Sequence, residues 1–148
     1  MIAIDTNLLV YSHRSDSPFH KPAREVIETL RRGPALWAIP WPCVHEFLAI
    51  VTHPKIFKDP TPLAIAFDAI DSWHSGENLH LLGESEGYLG SLREQSDAAH
   101  ARGPLIHDAR IAALCVHHGV SELWSADRDF TRFPKLPVRN PLLPTHDK

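Results

Sequence analysis

The chain has 148 residues, of which 43% are hydrophobic and 22% charged, and its formal net charge is −3. This composition fits one globular domain and excludes the disordered and fibrous classes. The negative net charge also excludes nucleic-acid binding by overall positive charge, so a polyanionic ligand would require a local basic patch or a bound cation.

The two cysteines, Cys43 and Cys115, both fall inside predicted helices. Two cysteines are too few for an extracellular disulfide framework, so we predict reduced thiols in a cytoplasmic protein. No apolar run reaches the ~18 residues that a membrane span requires, and we therefore expect no membrane association. The N-terminus lacks a basic region and Asp5 interrupts its apolar run, which argues against a signal peptide.

The first predicted elements are a buried strand over residues 1–4, ended by Asp5, and a short helix over residues 6–13. Ser17-Pro18 predicts the start of a second helix, because a capping side chain precedes a proline at the first helical position. Gly33-Pro34 ends that helix, since glycine and proline commonly follow a helix C-terminus.

A second buried strand over residues 36–39 is closed by Pro40 and leads into a helix that carries Glu46 near its start, off the apolar face. Thr61-Pro62 repeats the capping signal for the next helix. The apolar periodicity of that helix predicts one buried stripe. The stripe consists of Leu63, Ala66, Phe67, Ile70 and Trp73.

The second half of the chain predicts a third strand over residues 79–82 and a helix from Ser85 to about His100, with Leu89 and Leu92 facing inward. A further helix over residues 104–118 carries Asp108 in its opening turns. A fourth strand follows over residues 122–125 and a short fifth over residues 137–139.

Short apolar strands that alternate with helical crossovers indicate a mostly parallel sheet with helices on both faces. The predicted fold class is therefore α/β, a single-domain α/β/α sandwich with four to five strands. The domain is expected to span residues 1–140, and residues 141–148 form a short C-terminal tail.

Four carboxylates share one position in this architecture. Asp5 and Asp127 directly follow strands, and Glu46 and Asp108 lie near helix starts, which in a parallel sheet occupy the same edge. Acids near a helix start also stabilise the helix dipole, and for Glu46 or Asp108 taken singly that explanation is equally good. Asp5 follows a four-residue apolar strand and has no such explanation.

Four carboxylates in one crevice repel each other unless a cation offsets their charge. Oxygen ligands suit hard divalent ions such as Mg²⁺ or Mn²⁺, completed by water and substrate phosphate oxygens. A metal held in this way can activate water and neutralise charge on a phosphate. The residues therefore indicate metal-dependent phosphodiester hydrolysis.

The sequences around these acids resemble those of the PIN-domain family and, within it, the VapC-like ribonuclease toxins of toxin–antitoxin pairs. The resemblance covers nearly the whole chain in order and spacing. It rests on four segments, Ile4-Asp5-Thr6-Asn7, Val44-His45-Glu46-Phe47, His107-Asp108-Ala109-Arg110-Ile111-Ala112-Ala113, and Leu123-Trp124-Ser125-Ala126-Asp127-Arg128-Asp129-Phe130.

The resemblance implies a metal-dependent endoribonuclease that uses Mg²⁺ or Mn²⁺ on structured RNA, forms a homodimer, and is silenced by a cognate VapB-like antitoxin protein whose tail occupies the pocket. Asp5, Glu46 and Asp108 match the three core acids of the family. Asp127 matches the more variable fourth acid, and Asp129 is a second candidate for that place. The supporting polar positions that orient the acids or bound water are matched by Thr6, Asn7 and Ser125.

Basic side chains near these segments are candidates for contacts with an RNA backbone, although a solvated charged face explains them equally well. These candidates are Arg14, Lys21, Arg128 and Arg132. The four tryptophans lie on apolar faces, so we expect core positions rather than base-stacking surfaces. They are Trp37, Trp41, Trp73 and Trp124.

Two alternatives to a nuclease follow from the same residues. One is a catalytically inactive module on the same fold that binds RNA or a partner protein, although such a module has no use for an intact set of acids. The other is a phosphatase with Asp5 as nucleophile, in the manner of haloacid-dehalogenase-like enzymes. Those enzymes require a second aspartate two residues later, where this chain has Asn7.

Overall fold

The computed structural model describes residues 1–144, and residues 145–148 of the predicted tail lie outside the described part. The strands are β1 (Ile2–Ile4), β2 (Trp37–Pro40), β3 (Leu79–Leu82), β4 (Glu122–Trp124) and β5 (Val138–Arg139). The helices are α1 (Thr6–His13), α2 (His20–Arg32), α3 (Trp41–Val51), α4 (Leu63–His74), α5 (Tyr88–Ala98), α6 (Leu105–His117) and a 3-10 helix (Arg128–Arg132).

The five described strands form one sheet in the order β3-β2-β1-β4-β5, and every neighbouring pair is parallel. The central strand β1 pairs with β2 through Ile2 and Trp37, and with β4 through Ile4 and Trp124. All five carboxyl ends therefore meet at one edge of the sheet. The prediction of an α/β fold with a parallel sheet is confirmed.

Two predicted helix starts are too early, by two residues for α2 and by three residues for α5. Helix α2 begins at His20, because the Ser17 hydroxyl oxygen accepts the Phe19 N–H at 3.1 Å and closes a turn before the helix. Helix α5 begins at Tyr88 rather than at Ser85. Its preceding residue, Gly87, has φ +87°, a left-handed conformation that favours glycine and that separates the turn from the helix.

The predicted burial is wrong for several apolar side chains. In α4 only Ala66, Ile70 and Trp73 are buried. The rings of Trp73 and Phe47 pack edge to face, with 4.9 Å between their centroids. Leu63 and Phe67, expected in the same stripe, are 58% and 48% exposed. The face of α4 that contacts the core is narrower than the apolar stripe in its sequence. Two further side chains expected inside, Leu89 and Trp41, are 66% and 40% exposed.

The core lies on the faces of the central strands. Ala3 and Ile4 of β1 are fully buried, and so is Trp37 of β2. Cys43 and Cys115 are free and buried, as predicted. Among the described helices, none combines the length and the apolar character that crossing a membrane would need.

Candidate active site

Asp5, the first residue after β1, is 5% exposed and is held by four donors. Its Oδ1 accepts the Thr6 N–H at 2.8 Å and lies 3.6 Å from the Cys43 thiol, which donates to it. Its Oδ2 accepts the Ser125 hydroxyl at 2.7 Å and the Asn7 amide at 3.4 Å. The folded chain therefore fixes both oxygens of this carboxylate.

Burial dominates the electrostatics of Asp5. Removal from water raises the pKa of this carboxyl from 3.8 to about 6, against the hydrogen bonds of Ser125 and Thr6, which lower the pKa. The neighbouring charge of Glu46 adds to the rise. The hydrogen bonds to Asp5 thus replace only part of the stabilisation that water gives an ionised carboxylate, and the charged form stays unfavourable.

Helix α3 brings Glu46 to the same edge. The helix starts directly after β2, and the Thr6 hydroxyl donates to Glu46 Oε2 at 2.8 Å. Cys43 lies three residues before Glu46, one helical turn away, and contacts Asp5 from the same helix. Two contacts therefore tie α3 to the end of β1.

The remaining acids come from α6 and from the segment after β4. Asp108, Asp127 and Asp129 each offer a carboxylate oxygen, and these oxygens all lie within 4.8 Å of one another. The segment is shaped by two local hydrogen bonds, because Ser125 Oγ accepts the Asp127 N–H at 2.9 Å and Asp127 Oδ1 accepts the Asp129 N–H at 2.8 Å. Asp127 thereby caps the 3-10 helix that follows it.

Mutual repulsion marks this cluster. The pKa of Asp108 is raised to about 6, first by burial and then by the charges of Asp127, Asp129 and Glu46. The ion pairs found within residues 1–144 all involve other acids, and the charge of His107 lowers the pKa of Asp108 less than burial and the neighbouring acids raise it. A cluster of oxygen donors with uncompensated negative charge suits a hard divalent cation.

The acids line one cavity of about 190 Å³ at the carboxyl edge of the sheet. Its remaining walls include Ile50, Ile111 and Phe130. A larger groove of about 330 Å³ runs between α1, α2 and α4. Over the described residues, only the acidic cavity adjoins three side chains close enough to share a metal ion, so chemistry rather than size identifies the candidate site.

The four predicted acids all line this cavity. They are Asp5, Glu46, Asp108 and Asp127. Asp129 joins the metal-ligating cluster from its exposed position but does not contribute to the cavity wall. The structure therefore brings both candidates for the fourth acid together with Asp108.

The predicted basic residues are not all near the acids. Arg14 at the end of α1 forms an ion pair with Asp16 at 2.6 Å and donates to the Thr61 hydroxyl, so its guanidinium is already engaged. Lys21 is exposed in the first turn of α2. Arg128 and Arg132 are exposed on the 3-10 helix directly after Asp127.

Sequence reasoning missed two residues at this edge. The contact of Cys43 with Asp5 had a signal, because Cys43 precedes Glu46 by one turn and so shares its side of α3. Trp41, expected in the core, is instead exposed at the start of the same helix. Its exposure depends on what β3 and its following loop place beside it, which the local sequence does not specify.

Comparison with known proteins agrees with this geometry. The sequence model of the PIN-domain family matches residues 2–136 of this chain. Ribonuclease VapC48 of Mycobacterium tuberculosis is 34% identical over 137 residues, which cover 93% of this chain and 94% of that protein. The chain is thus similar to it over nearly the full length of both.

Two solved structures share the fold. VapBC2 from Rickettsia felis, bound to a DNA fragment from its promoter, has a chain with TM-score 0.69 and 19% identity that covers 95% of this chain and 98% of its own. VapC20 of Mycobacterium tuberculosis, a sarcin-ricin loop cleaving toxin, has TM-score 0.65 and 14% identity over 88% of this chain and 93% of its own. From the match over residues 2–136 and the identity to VapC48, this chain belongs to the PIN-domain family and, within it, to the group of the VapC ribonucleases.

Proposed function

We propose that this protein is a metal-dependent endoribonuclease, the toxin of a toxin–antitoxin pair, which hydrolyses phosphodiester bonds of structured RNA. The observation that carries the proposal is the convergence of five carboxylates at one sheet edge, none of which forms an ion pair within residues 1–144. The names of its relatives support an RNA substrate, since VapC48 is called a ribonuclease and VapC20 a toxin that cleaves the sarcin-ricin loop.

Mg²⁺ or Mn²⁺ is the proposed metal, because every candidate ligand atom is a carboxylate oxygen. The ligands would come from Asp108, Asp127 and Asp129, with Glu46 and Asp5 completing the acidic wall. A divalent ion bound there supplies a lowered pKa for an attacking water and offsets the negative charge that develops on the phosphate.

The chain's own residues divide the remaining work. Thr6 holds Oε2 of Glu46, and Oε1 accepts no hydrogen bond from the described residues, so Oε1 can take the proton of the attacking water. Asp5 accepts hydrogen bonds from four donors and is nearly buried, so its carboxylate is held in one position and orients the groups around it. The same engagement argues against Asp5 as the nucleophile of a phosphatase, since a nucleophilic oxygen must be free to attack.

The proposal includes protein partners. A VapB-like antitoxin is the proposed inhibitor, by analogy with the VapBC2 complex, and a homodimer is the proposed assembly. Leu63, Ile65 and Phe67 expose apolar side chains on α4, which supports an interface on that helix. We further propose a cytoplasmic location, a nuclease domain over residues 1–140, and RNA backbone contacts from Arg128 and Arg132.

The test is cleavage of total cellular RNA by the purified protein, with Mn²⁺ and with EDTA. Asp108→Asn removes one proposed ligand, and Asp71→Asn is the matched control because Asp71 is an exposed acid of α4 outside the cavity. We expect discrete fragments that require Mn²⁺ and that disappear with Asp108→Asn alone.

Equal cleavage by both variants would contradict the assignment of the acids. Full cleavage in EDTA would contradict the role of the metal. A folded protein that neither binds Mn²⁺ in calorimetry nor cuts RNA would instead favour the catalytically inactive binding module.

A further inference from the structure

Trp41 exposes an indole ring at the carboxyl edge of the sheet. It is the first residue of α3, directly after β2, and it is 40% exposed. By contrast, Trp37 is fully buried and Trp73 is 4% exposed. Exposure of an indole ring costs favourable burial, so its place beside an acidic cavity calls for an explanation.

The indole is held in a defined position by its neighbours. Gly83, the first residue after β3, lies against it, and a Cβ added at residue 83 would come within 3.3 Å of Trp41 Cδ1. On the same helix the His45 imidazole lies 6.0 Å from the indole between ring centroids, tilted by 31°. The two rings form an aromatic surface that is partly open to solvent.

This surface and the acids occupy neighbouring parts of one edge. The acids follow β1 and β4, whereas Trp41 and Gly83 lie at the ends of β2 and β3, and β2 is the direct neighbour of β1. Trp41 and Glu46 belong to one helix and are separated by roughly 7.5 Å along its axis and by about 140° around it. An RNA that extends from the acidic cavity along the carboxyl edge, across the end of β2 toward β3, would therefore pass over Trp41.

A cation lies on the same side. Arg110 of α6 pairs with Glu84, the residue after Gly83, at 2.8 Å, and both side chains are more than two-fifths exposed. An exposed ion pair of this kind contributes little to stability, so the guanidinium can exchange the carboxylate for a phosphate. Aromatic faces beside a cation are the combination that binds single-stranded nucleic acid.

We propose that Trp41, with His45 beside it, stacks an unpaired RNA base next to the phosphate held at the acids. The inference rests on the proposed function, because it takes the acids as the place where RNA is cut. Stacking accepts any base, so Trp41 selects an unpaired nucleotide rather than a particular base. Cleavage would accordingly fall in loops and bulges of a structured RNA.

The test measures binding rather than cleavage, in the Asp108→Asn background with Mg²⁺ present. The probes are a fluorescein-labelled single-stranded oligoadenylate RNA and an abasic oligomer of the same length and charge. Trp41→Leu removes the ring and Trp41→Phe keeps a flat one. Phe19→Leu is the control, since Phe19 is a similarly exposed aromatic residue directly before α2.

We expect the parent protein to bind the base-bearing probe about 5- to 100-fold more tightly than the abasic one, with quenching of tryptophan fluorescence. Trp41→Leu should abolish this preference, and Trp41→Phe and Phe19→Leu should keep most of it. A preference that survives Trp41→Leu overturns the proposal. So does a parent protein that shows no preference or no binding, which would leave the surface to a protein partner.

Cleavage by the protein with Trp41 and Asp108 intact separates the two proposals. If RNA is cut and base preference is absent, only the stacking surface is wrong. If RNA is not cut and base preference depends on Trp41, the nuclease is wrong and the stacking surface stands.

Discussion

The two halves of the acidic site are built in opposite ways. Asp5 is nearly buried, and protein donors engage both of its oxygens. Asp108, Asp127 and Asp129 are half-buried or exposed, and their oxygens face one another within 4.8 Å. Folding alone supplies the hydrogen-bond partners of Asp5. The carboxylates of Asp108, Asp127 and Asp129 repel one another until a bound cation offsets their charge.

The contrast shows that burial and ligand function are separate properties. An acid buried with a full set of donors gives the site its geometry, and an acid left without donors is free to bind an ion. Variants in the two halves should therefore differ in kind, with losses of stability in the first and losses of metal affinity and activity in the second.

The largest effect should come from Asp108→Asn in the open half. It removes one of three clustered oxygens together with part of the repulsion, so we expect at least ~100-fold lower nuclease activity with equal or higher stability without metal. Single-turnover cleavage and urea denaturation in EDTA measure the two quantities. A variant that loses activity and stability together would erase the distinction between the halves.

A pH dependence of stability should follow from the raised pKa of Asp5, about 6 in the folded protein against an ordinary 3.8. Between these values the folded state binds a proton that the unfolded state has released, so without metal the acids make stability fall as pH rises through this window and recover as pH falls. The contribution of Asp5 is at most about 3 kcal/mol. Asp108 shifts in the same direction and adds less, because it is more exposed.

Urea denaturation at about pH 5 and about pH 7.5, with EDTA and with Mn²⁺, isolates this contribution. Burial lowers the pKa of His13, which acts in the opposite direction, but it does so equally with and without the ion. Stabilisation by Mn²⁺ should therefore be larger at about pH 7.5. The same stabilisation at both values would show that the acids do not hold the ion.

Ser125→Ala tests the anchored half. The Ser125 hydroxyl donates to Asp5 and accepts the Asp127 N–H, and both groups lose a partner when it is removed. We expect unfolding to become easier by about 1–3 kcal/mol, since buried polar groups are left unpaired. Ser72→Ala, at an exposed position of α4, is the control and should change stability by less than about 0.5 kcal/mol.

The smallest effect should distinguish the two candidates for the fourth acid. Asp127 lines the cavity and Asp129 does not, so Asp129→Asn should lower activity about three- to tenfold and Asp127→Asn considerably more. Cleavage rates over a series of Mn²⁺ concentrations compare the two variants. The reverse order would identify Asp129 as the principal ligand and shift the open half toward solvent.

Much of the fold was predictable because its signals are local. The apolar residues before Asp5 specify a strand, and the helix over residues 6–13 and the strand over residues 79–82 have the predicted bounds. Parallel topology then brings Asp5, Glu46 and Asp127 to one edge whatever the details of packing. Asp108 is the exception, because α6 follows α5 and not a strand, so its place at that edge depends on how α6 packs.

The rest depends on contacts between distant segments. Leu63 and Phe67 continue an apolar pattern that fits a buried face, and only the packing of α4 against its neighbours decides that they stay exposed. Helical spacing places Cys43 on the same side of α3 as Glu46, but the contact of its thiol with Asp5, 38 positions away in sequence, is fixed only by tertiary packing. Trp41 was predicted to lie in the core because it belongs to an apolar face, and only contacts with distant segments decide that it stays exposed.

The central position of β1 has a consequence for when activity can arise. Asp5 is synthesised well before its partner Ser125, which follows β4 more than a hundred positions later in the chain. Before that strand is added, the nascent chain has neither the anchor of Asp5 nor the acids beyond it. Synthesis from the N-terminal to the C-terminal end therefore completes the site only after β4, and a chain interrupted before residue 122 lacks the Ser125 partner of Asp5 and two of the three clustered acids.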